Sequence, residues 1–279
     1  MIGVVGLGLI GGSIAKALNQ NTDYTVYGYD VDDSVTRKAV LVGAIEEALT
    51  EKMLPECDMV IVALWPEATV SYISDHASQF KKGALVVDTC GVKKYVCDRI
   101  WPLAEEHGFR FIGCHPMAGM EHSGFDHSKR ALFDKASMVI VPPKDVSIED
   151  IERLKALCVS IGFTDTRFTT PEEHDRMIAF TSQLAHVVSS AYIKSPLAGS
   201  HAGFSAGSYR DLTRVAKLNE DMWTELFLEN RDNLADEIDG IVSRLQDYSR
   251  AIREGDDADL HEMLKEGRER KAEIDKEYF

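Results

Sequence analysis

A glycine-rich turn near the N-terminus constrains the fold of this 279-residue chain more than any other feature. Gly6-Leu7-Gly8-Leu9-Ile10-Gly11 follows the apolar run Ile2–Val5 and precedes an amphipathic segment. With this spacing, the first glycine makes a tight turn, the second lets the backbone approach a pyrophosphate, and the third lets helix pack on strand. The helix N-terminus offers unpaired N–H groups to the phosphates. The turn therefore predicts a strand–turn–helix unit that binds a dinucleotide.

An acidic residue after the second predicted strand indicates which dinucleotide is bound. Asp30 stands 19 residues past Gly11. A carboxylate at this position accepts hydrogen bonds from the ribose hydroxyls and repels a 2′-phosphate, which favours NAD over NADP. Arg37 and Lys38 lie in the next predicted helix and leave tolerance of NADP open. The alternative, a glycine turn used only for packing with Asp30 as a helix cap, explains less of this context.

Short apolar runs alternate with helical segments in the first part of the chain. Because most of these runs are continuously apolar, they are typical of parallel strands covered on both faces. Helices are predicted between them, for example at Ser13–Asn19, Ser34–Val42 and Tyr95–His107. This alternation predicts a doubly wound α/β sheet. The predicted strands are Ile2–Val5, Tyr24–Tyr29, Met59–Leu64, Ala84–Asp88, Arg110–Cys114 and Met138–Val141.

The pattern changes at Thr170-Pro171-Glu172-Glu173, a helix start with a threonine cap, an early proline and a glutamate three residues after the cap. No strand is predicted beyond it. A long helix is expected from about Asn219 to Glu254, ended by Gly255-Asp256-Asp257 and followed by a last helix to about Lys276. We therefore predict an N-terminal Rossmann domain over residues 1–168 and an all-helical domain over residues 169–279, packed together.

Charge and composition exclude several classes of partner. A net charge of −15 argues against nucleic acid and anionic membranes, because both require a basic protein surface. Five scattered cysteines without a CxxC pair indicate reduced thiols, and the apolar start lacks the basic residues of a signal peptide. No stretch reaches the ~18 apolar residues of a membrane span. We expect a soluble cytoplasmic protein that holds any anionic substrate with local arginines.

One histidine is a candidate for acid–base chemistry. His115 lies in Cys114-His115-Pro116-Met117-Ala118-Gly119-Met120-Glu121-His122-Ser123-Gly124, directly after the fifth predicted strand, where an open α/β sheet places its reaction crevice. A buried histidine satisfied by the backbone is the alternative. His122 and His127 follow at spacings that match no common metal site, so no metal is expected.

The helical region supplies two further candidate groups. Ala179, Gln183, His186 and Ser190 form an uncharged stripe along one helix, which fits either a cleft wall or a solvent-facing side. Arg210 and Arg214 are four residues apart and share a helical face. Arginine binds carboxylates with its planar fork, although both arginines could instead pair with Asp211 or Glu220 on the surface.

Four segments together resemble the prephenate and arogenate dehydrogenases of tyrosine biosynthesis. They are GLGLIGGS, CHPMAGMEHSG, EHDRMIAFTSQLAH and YRDLTRVA, and they occur in the family's order over nearly the whole chain. The resemblance implies an NAD-dependent oxidoreductase with a Rossmann domain and a helical dimerisation domain, hence a homodimer. It further implies oxidative decarboxylation of a small dianionic substrate.

The resemblance also implies roles for individual residues. His115 matches the catalytic histidine, Arg214 the arginine that binds a substrate carboxylate, and Ser182 a serine near the nicotinamide. His186, Glu121 and Arg210 match positions in the substrate pocket, and Trp223 matches an aromatic residue that approaches the pocket from the partner subunit. Gln183, which lies on the uncharged stripe beside His186, is also predicted to bind substrate.

Two departures from the family pattern stand out. Gly91 replaces a serine that assists the catalytic histidine, and Gln183-Leu184-Ala185-His186 replaces the commoner HLPH.

Three alternatives to prephenate oxidation follow. Arogenate differs by an ammonium group, and no residue decides between the two substrates, so we expect prephenate and keep arogenate as the alternative. Other two-domain hydroxyacid dehydrogenases would carry a catalytic lysine on the first interdomain helix, whereas Thr170–Tyr192 contains none. A nucleotide-responsive binding protein would need neither the histidine nor the arginines.

Overall fold

The computed structural model describes residues 1–278, and within them the N-terminal part forms one eight-stranded sheet. Its strands are β1 (Ile2–Val5), β2 (Val26–Tyr29), β3 (Glu47–Ala48), β4 (Met59–Val62), β5 (Leu85–Asp88), β6 (Arg110–Pro116), β7 (Ser137–Val141) and β8 (Asp165–Phe168). Their order is β3-β2-β1-β4-β5-β6-β7-β8, and only the β6–β7 pair is antiparallel. Because the strand order reverses at β1, the carboxyl ends of β1 and β4 flank the crevice where such sheets bind ligands.

Helices connect the strands and make up the C-terminal part of the chain. Those among the strands are α1 (Leu9–Asn21), α2 (Asp33–Leu41), α3 (Pro66–His76), α4 (Lys94–His107) and α5 (Ile148–Ser160). Those after the sheet are α6 (Pro171–Ile178), α7 (Leu184–Ile193), α8 (Gly207–Thr213), α9 (Glu220–Glu229), α10 (Arg231–Glu254) and α11 (Asp257–Tyr278), with a π-helical turn, Ala179–Gln183, joining α6 to α7. Among the described residues, no helix has both the length and the apolar character needed to cross a bilayer.

Alternate residues of the strands supply two separate hydrophobic cores. Val4 packs in one core together with Ile14 of α1 and Leu154 of α5. Its neighbour Val5 packs in the other core, with Val96 of α4. Helices on both faces of the sheet bury both sides of its central strands, which explains the continuous apolar runs. The predicted α/β class, with a Rossmann sheet followed by helices, is confirmed.

The chain divides into two compact units, residues 1–230 and the segment that begins at Arg231. The first unit contains the sheet and all helices through α9. In the second, α10 and α11 contact each other through the Tyr248 hydroxyl, which donates to the Met263 carbonyl (3.3 Å), and through an Arg250–Asp259 ion pair (2.9 Å). The predicted domain boundary after residue 168 coincides with the end of β8 and stays a prediction.

Two helix boundaries test the predictions directly. The start at Thr170 is confirmed, because its hydroxyl accepts the Glu173 N–H (3.2 Å) and α6 begins at Pro171. The continuous helix predicted from Asn219 to Glu254 is wrong, because Asn230 interrupts it with φ −118° and ψ 26°. The Asn230 side chain donates to the Asp175 carbonyl (2.8 Å) and to Gln183 Oε1 (2.8 Å). These buried bonds hold the residue between two helices.

The three glycines of the N-terminal turn have different surroundings. Gly6 has φ +83°, and a Cβ there would lie 2.5 Å from the Ala63 carbonyl oxygen. A Cβ on Gly11 would lie 1.8 Å from the Gly6 carbonyl oxygen. A Cβ on Gly8 would meet nothing within 4 Å. The first and third glycines are therefore required by packing, whereas the second leaves open space.

We expect Gly11→Ala to destabilise the protein and Gly8→Ala to leave it nearly unchanged. The clash with the Gly6 carbonyl cannot be relieved without moving backbone, so the expected loss for Gly11→Ala is about 3 kcal/mol or more. Gly8→Ala should cost less than about 1 kcal/mol. Urea and thermal unfolding of both variants against wild type measure the difference. Equal losses in the two variants would contradict the packing argument.

Candidate active site

The glycine turn and Asp30 form one connected structure at the carboxyl ends of β1 and β2. Asp30 Oδ2 accepts the backbone N–H of Leu7 (2.8 Å), and Asp30 Oδ1 accepts that of Asp32 (3.0 Å). Leu7 is buried, whereas Leu9 and Ile10 are half-buried at the start of α1. Gly8 is the N-cap of α1 and provides no side-chain acceptor for the first N–H groups of this helix, and a Cβ on Gly8 would meet nothing within 4 Å. This cradle has the donors, the room and the carboxylate that a dinucleotide requires.

Lys38 is one of the two basic residues that left tolerance of NADP open, and its side chain forms an ion pair. Its ammonium pairs with the Asp126 carboxylate. Both side chains are largely exposed, so the pair contributes little stability. The pair nevertheless places a carboxylate next to the cation that would otherwise be available to a 2′-phosphate.

His115 lies near the carboxyl end of β6, as its position after an apolar strand predicted. It pairs with Val139 of β7 and is half-buried. Its Nδ1 lies 2.9 Å from Nε2 of His174, which belongs to α6, and the two rings meet edge to face. The alternative was a histidine whose ring nitrogens bind backbone groups, and this contact to a side chain differs from it. One ring nitrogen of His115 is bound to a second histidine.

Asp175, next to His174, joins the helical segment to the start of α4. Asp175 Oδ1 lies 2.7 Å from His174 Nδ1 and accepts the Lys93 N–H (2.7 Å), while Asp175 Oδ2 accepts the Lys94 N–H (2.9 Å). Helix α4 has no side-chain cap from its own N-cap residue, Lys93. Asp175 therefore supplies the acceptor for unpaired donors at a helix N-terminus, where a negative charge is also favourable.

A fully buried ion pair lies beside this cluster. The Lys93 ammonium binds the Asp88 carboxylate at the end of β5 and donates to the Cys114 carbonyl (2.6 Å). Asp88 also accepts the backbone N–H groups of Cys90 (2.9 Å) and Cys114 (3.0 Å). Burial would lower the pKa of Lys93, but Asp88 offsets this effect and the net pKa is raised. Lys93 therefore remains charged next to His115.

Burial controls the ionisation of the histidines. It lowers the pKa of His115 well below 6.5, and His174 and the Lys93 ammonium lower it further. Burial also lowers the pKa of His174, although Asp175 acts in the opposite direction. His186 likewise has a lowered pKa, because it is partly buried and lies near Arg214. His115 is therefore neutral at neutral pH, which is the form required of a base.

The second nitrogen of His115 faces Gly91. An ideal Cβ on Gly91 would lie 3.9 Å from His115 Nε2 and 3.5 Å from Leu226 Cδ2. Gly91 follows β5 and Leu226 belongs to α9, so this helix lies close to the open side of the imidazole. A side chain at position 91 would therefore begin between Leu226 and His115 Nε2, and the glycine contributes no hydroxyl there.

The predicted pocket residues on α7 and α9 contact each other within one chain. His186 Nδ1 donates to the Ser182 carbonyl (2.8 Å), and the His186 ring lies against the Trp223 ring with centroids 3.9 Å apart. Trp223 was expected to approach from a partner subunit, whereas here it contacts His186 of its own chain. Helix α9 carries both Trp223, which contacts His186, and Leu226, which lies near Gly91. This helix therefore links His186 to the side of the sheet that holds His115.

Gln183 was predicted to bind substrate, and the structure shows what its amide contacts. Its side chain is buried, with Nε2 donating to the Leu226 carbonyl (3.0 Å) and Oε1 accepting from Asn230 (2.8 Å). Ala179 of the same stripe is buried too. This end of the stripe therefore faces the protein interior, and Gln183 connects the turn before α7 to α9.

The predicted arginines lie on the surface of the helical part. Arg214 follows α8 directly, its side chain is 62% exposed, and its guanidinium lies 3.9 Å from the Glu121 carboxylate. The structure thus brings together two predicted residues that are 93 positions apart. Arg210 lies exposed on α8, one turn earlier.

Sequence reasoning missed four residues next to His115. His174 and Asp175 lie in a segment that carried the family resemblance, and Asp88 and Lys93 lie on either side of Gly91, yet none of the four was given a role. The available signal was the adjacent His-Asp pair one turn after a strong helix start, combined with the lysine two residues after Gly91. Within residues 1–278, no group of three or more His, Cys, Asp or Glu side chains is arranged to hold a metal ion.

Both the sheet-containing part and the helical part of the chain match models of known protein families. Residues 14–164 match the family model "Prephenate dehydrogenase, nucleotide-binding domain", and residues 170–266 match "Prephenate dehydrogenase, dimerization domain". The chain is similar to a prephenate dehydrogenase of Bacillus subtilis, with 28% identity over 94% of this chain and 72% of the relative. It is also similar to a cyclohexadienyl dehydrogenase of Zymomonas mobilis, with 29% identity over 95% and 92% of the two chains.

A solved structure gives the same result. The chain resembles prephenate dehydrogenase from A. aeolicus, crystallised with hydroxyphenyl propionate and NAD+, with a TM-score of 0.81 and 28% identity over 98% of this chain and 97% of that one. Since the family models together match well over half of the residues, this chain belongs to the prephenate dehydrogenase family.

Proposed function

We propose that this protein is an NAD-dependent dehydrogenase that converts prephenate to 4-hydroxyphenylpyruvate by oxidative decarboxylation, a step of tyrosine biosynthesis. Arogenate, which would give tyrosine directly, is the alternative substrate. The observation that carries the proposal is a neutral histidine, His115, whose Nε2 lies on the side of Gly91, at the same sheet edge as the glycine turn. The similarity to prephenate dehydrogenases of B. subtilis and A. aeolicus supports prephenate as the substrate.

Different residues of the chain bind the cofactor and transfer the proton. Bound at the cradle of residues 6–11 and Asp30, NAD+ supplies the acceptor for the hydride of the substrate's carbinol carbon. His115 Nε2 accepts the hydroxyl proton as that carbon becomes a carbonyl. The ring carboxylate then leaves as CO2: its bonding electrons complete the aromatic ring, and the ring oxygen regains the proton held by the His115 imidazolium, which gives the phenol and restores the neutral base. Aromatisation makes the reaction effectively irreversible.

Local positive charge resolves the conflict between an acidic protein and a dianionic substrate. We assign Arg214 to a substrate carboxylate, because its guanidinium is largely exposed and its fork suits bidentate binding. Arg210, Glu121, His186 and Trp223 complete the proposed substrate site, and Ser182 is assigned to the nicotinamide side. Gln183 acts there through its buried bonds to α9.

The helical part supports a homodimer. Apolar side chains exposed there include Phe180, Leu197, Leu212 and Leu228, of which Leu197 is 76% exposed. An exposed apolar set of this size is typical of an interface between subunits. The matching dimerization-domain model supports the same assembly. The five cysteines are free and buried, which supports a reducing, cytoplasmic location.

The direct test is a four-way rate comparison of prephenate and arogenate with NAD+ and NADP+. Wild type should turn over prephenate with NAD+ most efficiently. His115→Asn should lower kcat by about 10²–10⁴-fold, because it removes the proton acceptor. A matched control is His76→Asn on α3, whose ring bonds the Tyr72 carbonyl away from the site. The assignment fails if wild type turns over neither substrate, and the role of His115 fails if the two variants are equally active.

A second test concerns the cofactor cradle. A Cβ on Gly8 would enter the open space in front of α1 without disturbing the fold. We expect Gly8→Ala to weaken NAD+ binding by tenfold or more, roughly the 1–2 kcal/mol of a lost close backbone contact, while its unfolding midpoint stays near that of wild type. Titration of NAD+ by calorimetry measures this effect. Unchanged affinity would place the dinucleotide elsewhere.

The lowered pKa of His115 predicts the pH dependence of catalysis. Only neutral His115 accepts a proton, and burial, His174 and Lys93 all keep it neutral down to a lower pH than usual. The charged groups that face the pair are Lys93, Asp88 and Asp175, and the raised pKa of Lys93 keeps its ammonium charged across this range. The acid limb of kcat/KM should therefore lie below pH 6.5, with a plateau through neutrality. An acid limb centred above about pH 7 would contradict a desolvated base.

A further inference from the structure

Two buried residues of α6 stand on the side of His115 that faces away from Gly91. His174 and Asp175 are 3% and 2% exposed. His174 Nε2 contacts His115 Nδ1 at 2.9 Å, and His174 Nδ1 contacts Asp175 Oδ1 at 2.7 Å. Both nitrogens of His174 are therefore in hydrogen-bond contact within the protein. The three side chains form one unbranched chain from a carboxylate to the proposed base.

The direction of each bond follows from the carboxylate end. A carboxylate only accepts hydrogen bonds, and Asp175 already accepts two backbone N–H groups of α4. His174 must therefore donate its Nδ1–H to Asp175. Because a neutral imidazole has one N–H, His174 Nε2 carries a lone pair and must accept from His115. The proton of neutral His115 is then on Nδ1, and its Nε2 is bare.

This tautomer places the lone pair where the reaction needs it. His115 Nε2 faces the space over Gly91, and Nδ1 faces the buried pair. In the opposite tautomer, Nε2 would carry a hydrogen and could not accept the substrate's proton. A serine hydroxyl at position 91 could orient the imidazole from its Nε2 side, but Gly91 has no hydroxyl. The structure supplies an orienting partner on the Nδ1 side, where His174 lies at 2.9 Å.

We propose that His174, oriented by Asp175, is a positioning residue that holds neutral His115 in the Nδ1–H tautomer and stabilises the imidazolium formed when Nε2 accepts the substrate's hydroxyl proton. The assignment of that proton donor rests on the proposed function. In the protonated state, His115 keeps its Nδ1–H bond to His174, whose own N–H remains bound to Asp175. The positive charge on His115 is thus separated from the buried Asp175 carboxylate by two hydrogen bonds in series.

Asp175 cannot serve as the test position, because its substitution would also remove the acceptor at the start of α4. His174 separates the two effects. His174→Phe keeps a ring of similar size but removes the acceptor, whereas His174→Gln keeps an acceptor oxygen and an N–H donor. His76→Phe is the matched control, since His76 is a partly buried ring stacked on Tyr72 (4.3 Å between centroids) outside the site.

The first measurement is the tautomer of His115 by nitrogen-15 NMR of histidine-labelled protein, with the signal assigned through His115→Asn. Wild type and His174→Gln should carry the proton on Nδ1. His174→Phe should shift His115 toward the Nε2–H form, which free imidazole side chains prefer. This readout needs neither substrate nor turnover. A wild-type His115 protonated on Nε2 would overturn the proposal even if His174→Phe does not fold.

The second measurement is steady-state kinetics with NAD+ and whichever of prephenate and arogenate wild type turns over. His174→Phe should lower kcat by about 10²–10³-fold with KM changed less than about threefold, since the wrong tautomer removes base catalysis without removing binding. His174→Gln should recover most of this loss, and His76→Phe should match wild type. A folded His174→Phe with wild-type kcat would overturn the proposal.

The two failures are distinguishable. If wild type oxidises neither substrate, the proposed function fails, while the NMR measurement still decides whether His174 fixes the tautomer. If wild type is active and His115→Asn is inactive, but His174→Phe has both the wild-type tautomer and the wild-type rate, only the positioning role fails. A loss in His174→Gln as large as that in His174→Phe would assign His174 to packing and would likewise overturn the proposal.

Discussion

The bonds from the Asp175 carboxylate to the Lys93 and Lys94 N–H groups span 82 and 81 residues of sequence, and the rest of the site depends on them. They satisfy the N-terminus of α4, which lacks a cap of its own, and they fix the position of α6. His174 is thereby placed against His115. The carbonyl of Asp175 also accepts from Asn230, which ends α9. A single residue thus connects the sheet, the first helix after it and the helix that carries Trp223.

Features determined by neighbouring residues were predictable from the sequence. The glycine turn and the Thr170 cap depend on residues within one helical turn, and both lie where they were expected. Two short strands, Glu47–Ala48 and Asp165–Phe168, were not predicted, since they are largely exposed and carry no apolar run. The break at Asn230 was missed because apolar periodicity continues through it. Its cause is a pair of bonds to residues 55 and 47 positions away.

The site was predictable only in part, for the same physical reason. His115 could be located because strand ends form the crevice of an open sheet. Its partner His174 could not, because that contact spans 59 residues and a His-Asp pair on a helix has no distinguishing pattern. Gln183 looked like a pocket residue from its place on a polar stripe, but its amide forms buried bonds to α9. A helical stripe shows which residues share a side, not what covers that side.

The charges around His115 explain how a weak base can still accept a proton. Lys93 and Asp88 neutralise each other, and the Lys94 ammonium pairs with Asp98 and Glu172. Asp175 has no cationic side chain of its own among these groups; the N-terminus of α4 offsets its charge through backbone N–H groups, equivalent to roughly half an elementary charge. The Asp175 carboxylate therefore lies beyond His174, with its charge offset by backbone donors and not by a lysine or arginine. Burial keeps His115 neutral before the reaction, and this carboxylate orients His174 when the imidazolium forms.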